Sequence, residues 1–155
     1  MDAIQLLRQM HADTKLRFKL ILADEDPASA QQRWQQLKPL LELHEDVEDS
    51  FVYSPIAEEQ GPGTPLGDWL VRHDADVEIV SGLIAEVDQF DPKQPEWRQS
   101  VARVMDALFR HVMDEEGQIF GRISQVWGPD RLAAVGTQLQ KRLDKGSPSP
   151  ARARK

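Results

Sequence analysis

The chain has 155 residues, a length that fits one domain around one core. It contains no cysteine, which excludes a disulfide framework and any thiolate metal site, so a metal has to be held by nitrogen and oxygen: iron, manganese or zinc rather than a sulfur cluster. A formal net charge of −7 argues against general nucleic-acid binding by the body of the protein, and no stretch is apolar and long enough to span a membrane.

The first helix opens with Asp2-x-x-Gln5, a capping-box pattern. Ile4, Leu7, His11, Thr14, Phe18 and Ile21 follow at alternating spacings of three and four, the inward stripe of a bundle helix. Asp26-Pro27 starts the second helix, with proline at a favourable first position. Its stripe runs Leu37, Leu40/Leu41, His44, Glu48 and Phe51, and Pro39 inside it predicts a kink or a later true start. Residues 58–65 (EEQGPGTP) read as a loop. The third helix carries Leu66, Leu70, His73, Val77, Val80, Ile84 and Val87 as an unbroken inward stripe. After Asp91-Pro92-Lys93-Gln94-Pro95, the fourth carries Trp97, Val101, Val104, Leu108, His111, Glu115 and Ile119.

Gly128-Pro129 stops the fourth helix, and Leu132, Val135, Leu139 and Leu143 suggest a shorter amphipathic helix packed outside the bundle. The expected organisation is an all-α, up-down four-helix bundle with a short additional C-terminal helix over 1–144, then a disordered basic tail over 145–155. Met1-Asp2-Ala3-Ile4 has neither a charged nor an apolar leader region, so a soluble cytoplasmic protein is the expectation.

The chain has four histidines, and each falls on the inward stripe of a different helix. Two of them begin the same pattern, His-x-x-x-Glu: His44-Glu45-Asp46-Val47-Glu48 and His111-Val112-Met113-Asp114-Glu115. On an α-helix four residues turn through about 400°, so His and Glu lie within roughly 40° of each other and about 6 Å apart along the axis. A lone inward histidine is more often a hydrogen-bonded core residue, and a lone His-x-x-x-Glu is usually a surface pair. Six polar groups in one core are harder to dismiss, because unpaired they carry several kcal/mol of desolvation cost. A metal pair removes that conflict by supplying the positive charge the carboxylates need. Glu48 and Glu115 come from different helices and can each span two ions. Two metals about 3.5–4 Å apart then keep two histidines each, with water, an oxo or hydroxo bridge, or dioxygen filling the remaining positions.

This pattern resembles the hemerythrin-like, or HHE cation-binding, domain family. The matching segments are DAIQLLRQMHAD around His11, LLELHEDVEDSFVYSPI around His44, WLVRHDADVEIV around His73 and LFRHVMDEEGQIFGRI around His111, over about residues 2–143. Ferritin-like di-iron proteins use Glu-x-x-His instead, and zinc peptidases use His-Glu-x-x-His, which is absent here. The resemblance implies metal ligands His11, His44, Glu48, His73, His111 and Glu115 around two iron ions, with manganese or zinc as lesser alternatives. Oxygen-carrying hemerythrins have a further histidine where this chain has Val77, and an Asp where it has Glu116, one residue beyond Glu115. That departure points to the sensor, regulatory and enzyme-like branch: a centre reacting with or sensing dioxygen, peroxide or nitric oxide. A di-iron oxidoreductase consuming peroxide or nitric oxide, a reversible oxygen carrier, and a binding module with a zinc-loaded or merely structural polar core are the alternatives. No membrane partner is expected, nucleic acid is disfavoured, and a protein partner is left open.

Three further residues rank behind these. Glu45, one position after His44, points about 100° away from it and reads as a solvated or supporting charge. Tyr53 lies about 180° from His44 in an unbroken helix and reaches the metals only if the helix unwinds before Pro55. Glu78 reads as outward. Trp34, Trp69, Trp97 and Trp127 read as core or helix packing, and the basic tail as solubilising.

Overall fold

The computed structural model describes residues 1–146, and these form helices joined by short turns, with no strand among them. Helix α1 (Ala3–Ala23) begins at the expected capping box: Asp2 accepts from the Gln5 N–H at 2.8 Å, and Gln5 accepts from the Asp2 N–H at 2.9 Å. Its last carbonyls accept from Arg98, whose Nη1 lies 3.2 Å from Ile21 O, also reached by the Asp24 N–H, and 3.3 Å from Leu22 O. Helix α2 (Pro27–Glu48) starts at Pro27, so no later start is needed. Pro39 sits on its exposed face, where the only bond forgone is the one its N–H would have made to the Gln35 carbonyl.

Beyond Glu48 the backbone stays right-handed helical through a π turn, Asp49–Tyr53, into α3 (Ser54–Gln60). The expected loop from residue 58 is therefore shorter: helix persists to Gln60, and Gly61, at φ 73°, ends it. Helix α4 (Pro65–Val87) is capped by Thr64, whose hydroxyl accepts from the Gly67 N–H at 3.0 Å. Helix α5 (Pro95–Asp114) runs through a second π turn, Glu115–Ile119, into α6 (Phe120–Lys145). Gly128, at φ 72° and ψ 172°, breaks α6 where Gly-Pro was read as a stop. The segment after it is the additional helix. It does not stay outside the bundle: Leu132, Val135 and Leu139 join one core cluster with Leu6, Leu43 and Val47. Gly136 makes that possible, since a Cβ there would lie 2.5 Å from the Met1 carbonyl oxygen. Arg142 further ties the segment to buried Asp46 of α2 at 3.0 Å. From residue 147 on, the expected basic tail lies outside the described residues.

The apolar interior is divided in two. One cluster gathers Leu7, Ile56, Trp69, Phe120 and Ile123, the other Phe18, Trp34, Leu37, Trp97 and Val101. All four tryptophans are buried. Each histidine lies between a residue of the first cluster and one packed in or near the second along its own helix, so the polar groups form a layer between two greasy ends. Helix α1 packs on α2, α5 and α6, and α4 packs on α5. Between α2 and the middle of α4 the bundle opens instead into a cleft. Val77, Val80 and Ile84, read as fully inward, are half-buried along it.

Candidate metal centre

The six expected residues meet in the polar layer. His11, Glu48, His73, His111 and Glu115 are buried, and His44 is half-buried. Two groups have ligand atoms within 4.8 Å of one another: His11, His44 and Glu48, and Glu48, His73 and His111. Glu48 belongs to both. Its Oε2 lies 2.7 Å from His44 Nε2 and 3.4 Å from His11 Nε2, while the two Nε2 atoms are 3.2 Å apart. Glu115 lies across the layer, with Oε1 at 3.3 Å from His111 Nε2 and 3.8 Å from His11 Nε2.

The π turns explain how each motif continues. One extra residue per turn delays the helix by about 100°, so the fifth residue after each Glu takes the place a fourth would have in an α-helix. Tyr53 follows Glu48 in this way. Its hydroxyl donates to Glu115 and its ring meets His73 edge-on at 4.5 Å. The helix need not unwind, as had been expected for Tyr53 to reach this layer. Phe120 follows Glu115 likewise, and stacks on His11 at 5.9 Å with an interplanar angle of 8°.

Other contacts had no clear sequence signal. Glu116 Oε2 lies 2.8 Å from His11 Nδ1, and Arg8 Nη1 donates to Glu116 at 3.2 Å. The four-position rule points to Glu115 from His111, but it says nothing of a carboxylate facing a helix across the bundle. Trp69 stacks on His73 at 5.0 Å and on His111 at 5.9 Å, and its indole donates to Asp114 at 2.5 Å. Asp76 Oδ2 stands 3.6 Å from His111 Nδ1, beyond hydrogen-bond length. Glu45 is half-buried at the cleft and Glu78 is exposed at its rim.

Electrostatics divides the layer. Burial pushes the His11 imidazole down, but hydrogen bonds and charge from Glu48 and Glu116 overcome this and raise it above its ordinary value. Glu48 is pushed up by burial, yet the charge of His44 and the hydrogen bond of His11 hold it well below the carboxylate range. His73 is lowered to about 4 by burial, and His111 is lowered for the same reason. Burial and then the neighbouring Glu48 charge raise Glu115 well above its usual value, and raise the Tyr53 phenol likewise. Both ring nitrogens of His73 and of His111 lack hydrogen-bond partners among the described residues, although all four atoms are buried. Leaving such groups unsatisfied costs about 1–3 kcal/mol each. Neutral imidazoles with free nitrogens beside carboxylates are the donor set that a borderline cation such as iron or zinc accepts.

Residues 2–123 match the hemerythrin HHE cation-binding domain. A protein described as a DNA nickase, from Nostoc sp. (strain PCC 7120), is 23% identical over 151 residues. That match takes in 92% of this chain and 41% of the nickase, so the chain spans less than half the length of that relative. No solved structure matches. Among the described residues no helix is long and apolar enough to cross a membrane.

Proposed function

The chain belongs to the hemerythrin HHE cation-binding domain family, and from that premise we propose that it is a non-haem di-iron protein that reacts with or senses dioxygen, peroxide or nitric oxide. His11 and His44 would serve one ion and His73 and His111 the other, with Glu48 and Glu115 between them. The observation that carries this reading is the pair of buried, unbonded imidazoles at His73 and His111, facing a carboxylate that already belongs to the opposite group. A purely structural polar core would have satisfied those nitrogens.

Iron bound there would supply exchangeable coordination positions and one-electron redox chemistry. The protein's own part is positional. Glu116, steadied by Arg8, fixes the ring of His11 through Nδ1 and leaves Nε2 facing Glu48. Tyr53 donates to Glu115 and so holds that carboxylate in place. Trp69 and Phe120 pack against the rings of His73 and His11 and fix their orientation. Val77 puts no ligand where carriers of this family have a histidine, which supports reactivity over protected oxygen storage. Localisation in the cytoplasm accords with this chemistry and is part of the proposal. The nickase activity is a property of the longer relative. A net charge of −7 disfavours the phosphate backbone as a partner here.

Elemental analysis of protein produced with ample iron should give about two iron atoms per chain, since the donor set divides into two similar halves. The oxidised protein should absorb in the near-ultraviolet beyond the tryptophan band. One zinc or no metal under those conditions would overturn the reading.

A further inference from the structure

The cleft between α2 and α4 is far larger than any diatomic needs. Its volume is about 630 Å³, whereas a water molecule's share of the liquid is about 30 Å³. It falls in the range of pockets that enclose small organic molecules, roughly 300–1,000 Å³. Its floor is the polar layer, reached at His44, Glu48, His111 and Glu115. Its walls are aliphatic and aromatic: Leu41 from α2, Val77, Val80 and Ile84 from α4, Leu108 and Phe109 from α5. Its rim is acidic. Glu42, Asp76, Glu78 and Asp88 are exposed around the opening and Glu45 is half-buried beside them. The rim's cation, Lys38, is already paired with Asp88.

We infer that this cleft binds an amphipathic organic cation, an alkyl- or aralkyl-amine, with its apolar body between α2 and α4 and its ammonium group at the acidic rim. The inference deepens the function proposed above and rests on that reading for its setting beside a metal pair. Charge complementarity selects the ligand. An organic anion would bring like charge to the rim and meet no unpaired cation there. A neutral hydrocarbon would fit the walls but gain nothing from the charge of the exposed Glu42 and Glu78 at the rim. The apolar walls in turn reject small hydrated cations, which gain nothing from burial against valine and isoleucine. Helical continuity explains why the space exists: α4 is held at its start by Leu66, Trp69 and Leu70 and at its end by Val87, all buried, while its middle stands away from α2.

The test uses the full chain, iron-loaded and metal-free, titrated at low ionic strength with n-octylamine, octanoate and octan-1-ol by isothermal calorimetry. The amine should bind about tenfold or more tighter than the carboxylate, a difference of about 1.4 kcal/mol, and should weaken as salt is added. V80W, which fills the cleft, should abolish amine binding while iron content stays that of the unaltered protein. The exposed rim pair E42Q/E78Q, which cannot disturb the core, should weaken the amine several-fold and leave the alcohol unchanged. Equal binding of all three probes, or no binding of the amine to either form, would overturn the inference. Amine binding by a protein that takes up no iron would instead defeat the di-iron reading alone. Full iron uptake without amine binding would defeat this inference alone.

Discussion

The first half of the chain supplies His11, then His44 and Glu48, then a π turn and Tyr53. The second repeats the order with His73, His111 and Glu115, a π turn and Phe120. The parts correspond, yet the surroundings do not. His11 and His44 sit in a network in which Glu48 and Glu116 each accept or share a hydrogen, and His11 favours its proton. His73 and His111 are packed against Trp69 and each other at ring distances of 4.5–5.9 Å, and among the described residues their ring nitrogens form no hydrogen bond, the carboxylates of Glu115 and Asp76 standing near His111 without bonding it. In the first half His11 and Glu48 are therefore hydrogen-bonded without a metal, and His11 must give up its proton to take one. The other is already deprotonated and waits for a partner. A repeated motif fixes where ligands stand; the residues packed around each copy fix how ready it is.

Removing the residue the halves share should have the largest effect. Glu48 belongs to both groups of donors, so Glu48→Ala should lose most of the bound iron, and Glu115→Ala should lose much of it. Glu45→Ala should stay close to the unaltered protein, because Glu45 is half-buried at the cleft, whereas Glu115 is buried with Oε1 3.3 Å from His111 Nε2. Iron per chain after gel filtration measures this series. Equal retention in all three would break the assignment of the layer.

The comparison sharpens when metal is withdrawn. Ions that bind only the folded state raise its stability by mass action, so the metal-free protein should melt lower than the iron-loaded one. It should also lose stability in acid, and the sign follows from His73. That group titrates at about 4 when folded and near 6.5 when unfolded. Above pH 6.5 both states are neutral. Below it the unfolded chain takes up a proton that the fold refuses, so stability falls between pH 6.5 and 4, by roughly 3 kcal/mol from this group. His11 acts oppositely: its raised value adds stability below the unfolded value, which is lost as pH rises through the folded one. Urea unfolding of the metal-free protein at pH 7 and pH 4.5 reads the balance. His73→Leu should flatten the acid fall, and an unchanged slope would show that His73 is not held neutral by the fold.

A smaller effect should separate the halves through their supporting residues. Glu116→Ala frees the ring of His11, and loss of such a partner typically costs about 10–100-fold in metal affinity. His73 and His111 have no counterpart to lose, so Glu116→Ala should weaken one of two binding steps in a chelator competition and leave the other. A uniform loss over both steps would make Glu116 a general structural residue.

Much of this was legible in the sequence because a helical stripe reports direction. Asp2-x-x-Gln5 marked a helix end by its capping box, Asp26-Pro27 and Gly128-Pro129 by the backbone preferences of proline and glycine, and the three-and-four spacing put all four histidines inward. Direction is not occupancy, however. Val77, Val80 and Ile84 face inward as read, but onto a cleft, since periodicity cannot say whether the space opposite is filled. The π turns left no compositional mark, so Tyr53 was placed about 180° from His44, and the extra residue turns it by about 100° toward the layer. Glu116 reaches His11 from another helix, a relation that no spacing along one helix encodes. The additional helix was found from its stripe, but the stripe does not say that it completes the core beside Leu6, Leu43 and Val47, which the close approach of Gly136 to Met1 allows.

Val77 offers the finest distinction between the halves. It lies one turn after His73, on the same face, and is half-buried at the cleft. Its counterpart on the first helix, one turn after His11, is Lys15, whose ammonium group stands over the Phe109 ring at 5.9 Å. Neither half thus carries a further imidazole at this step. On the proposed di-iron reading, both ions then keep exchangeable positions, so the reduced protein should oxidise in air and form no long-lived oxygen adduct. Val77→His would project into the open cleft rather than into packed core, so the overpacking cost of about 1–3 kcal/mol usual for a larger core side chain should be mostly avoided. Placed there, the ring would occupy a position on the His73 side and leave the His11 side as it is. Auto-oxidation should slow by a factor of a few, about 1 kcal/mol in the barrier, while iron content stays constant. Stopped-flow mixing of reduced protein with oxygenated buffer, before and after the substitution, gives both rates. A stable, reversible adduct in the unaltered protein would place this chain with the carriers, and an unchanged rate in Val77→His would mean that the reaction is governed from the His11 side.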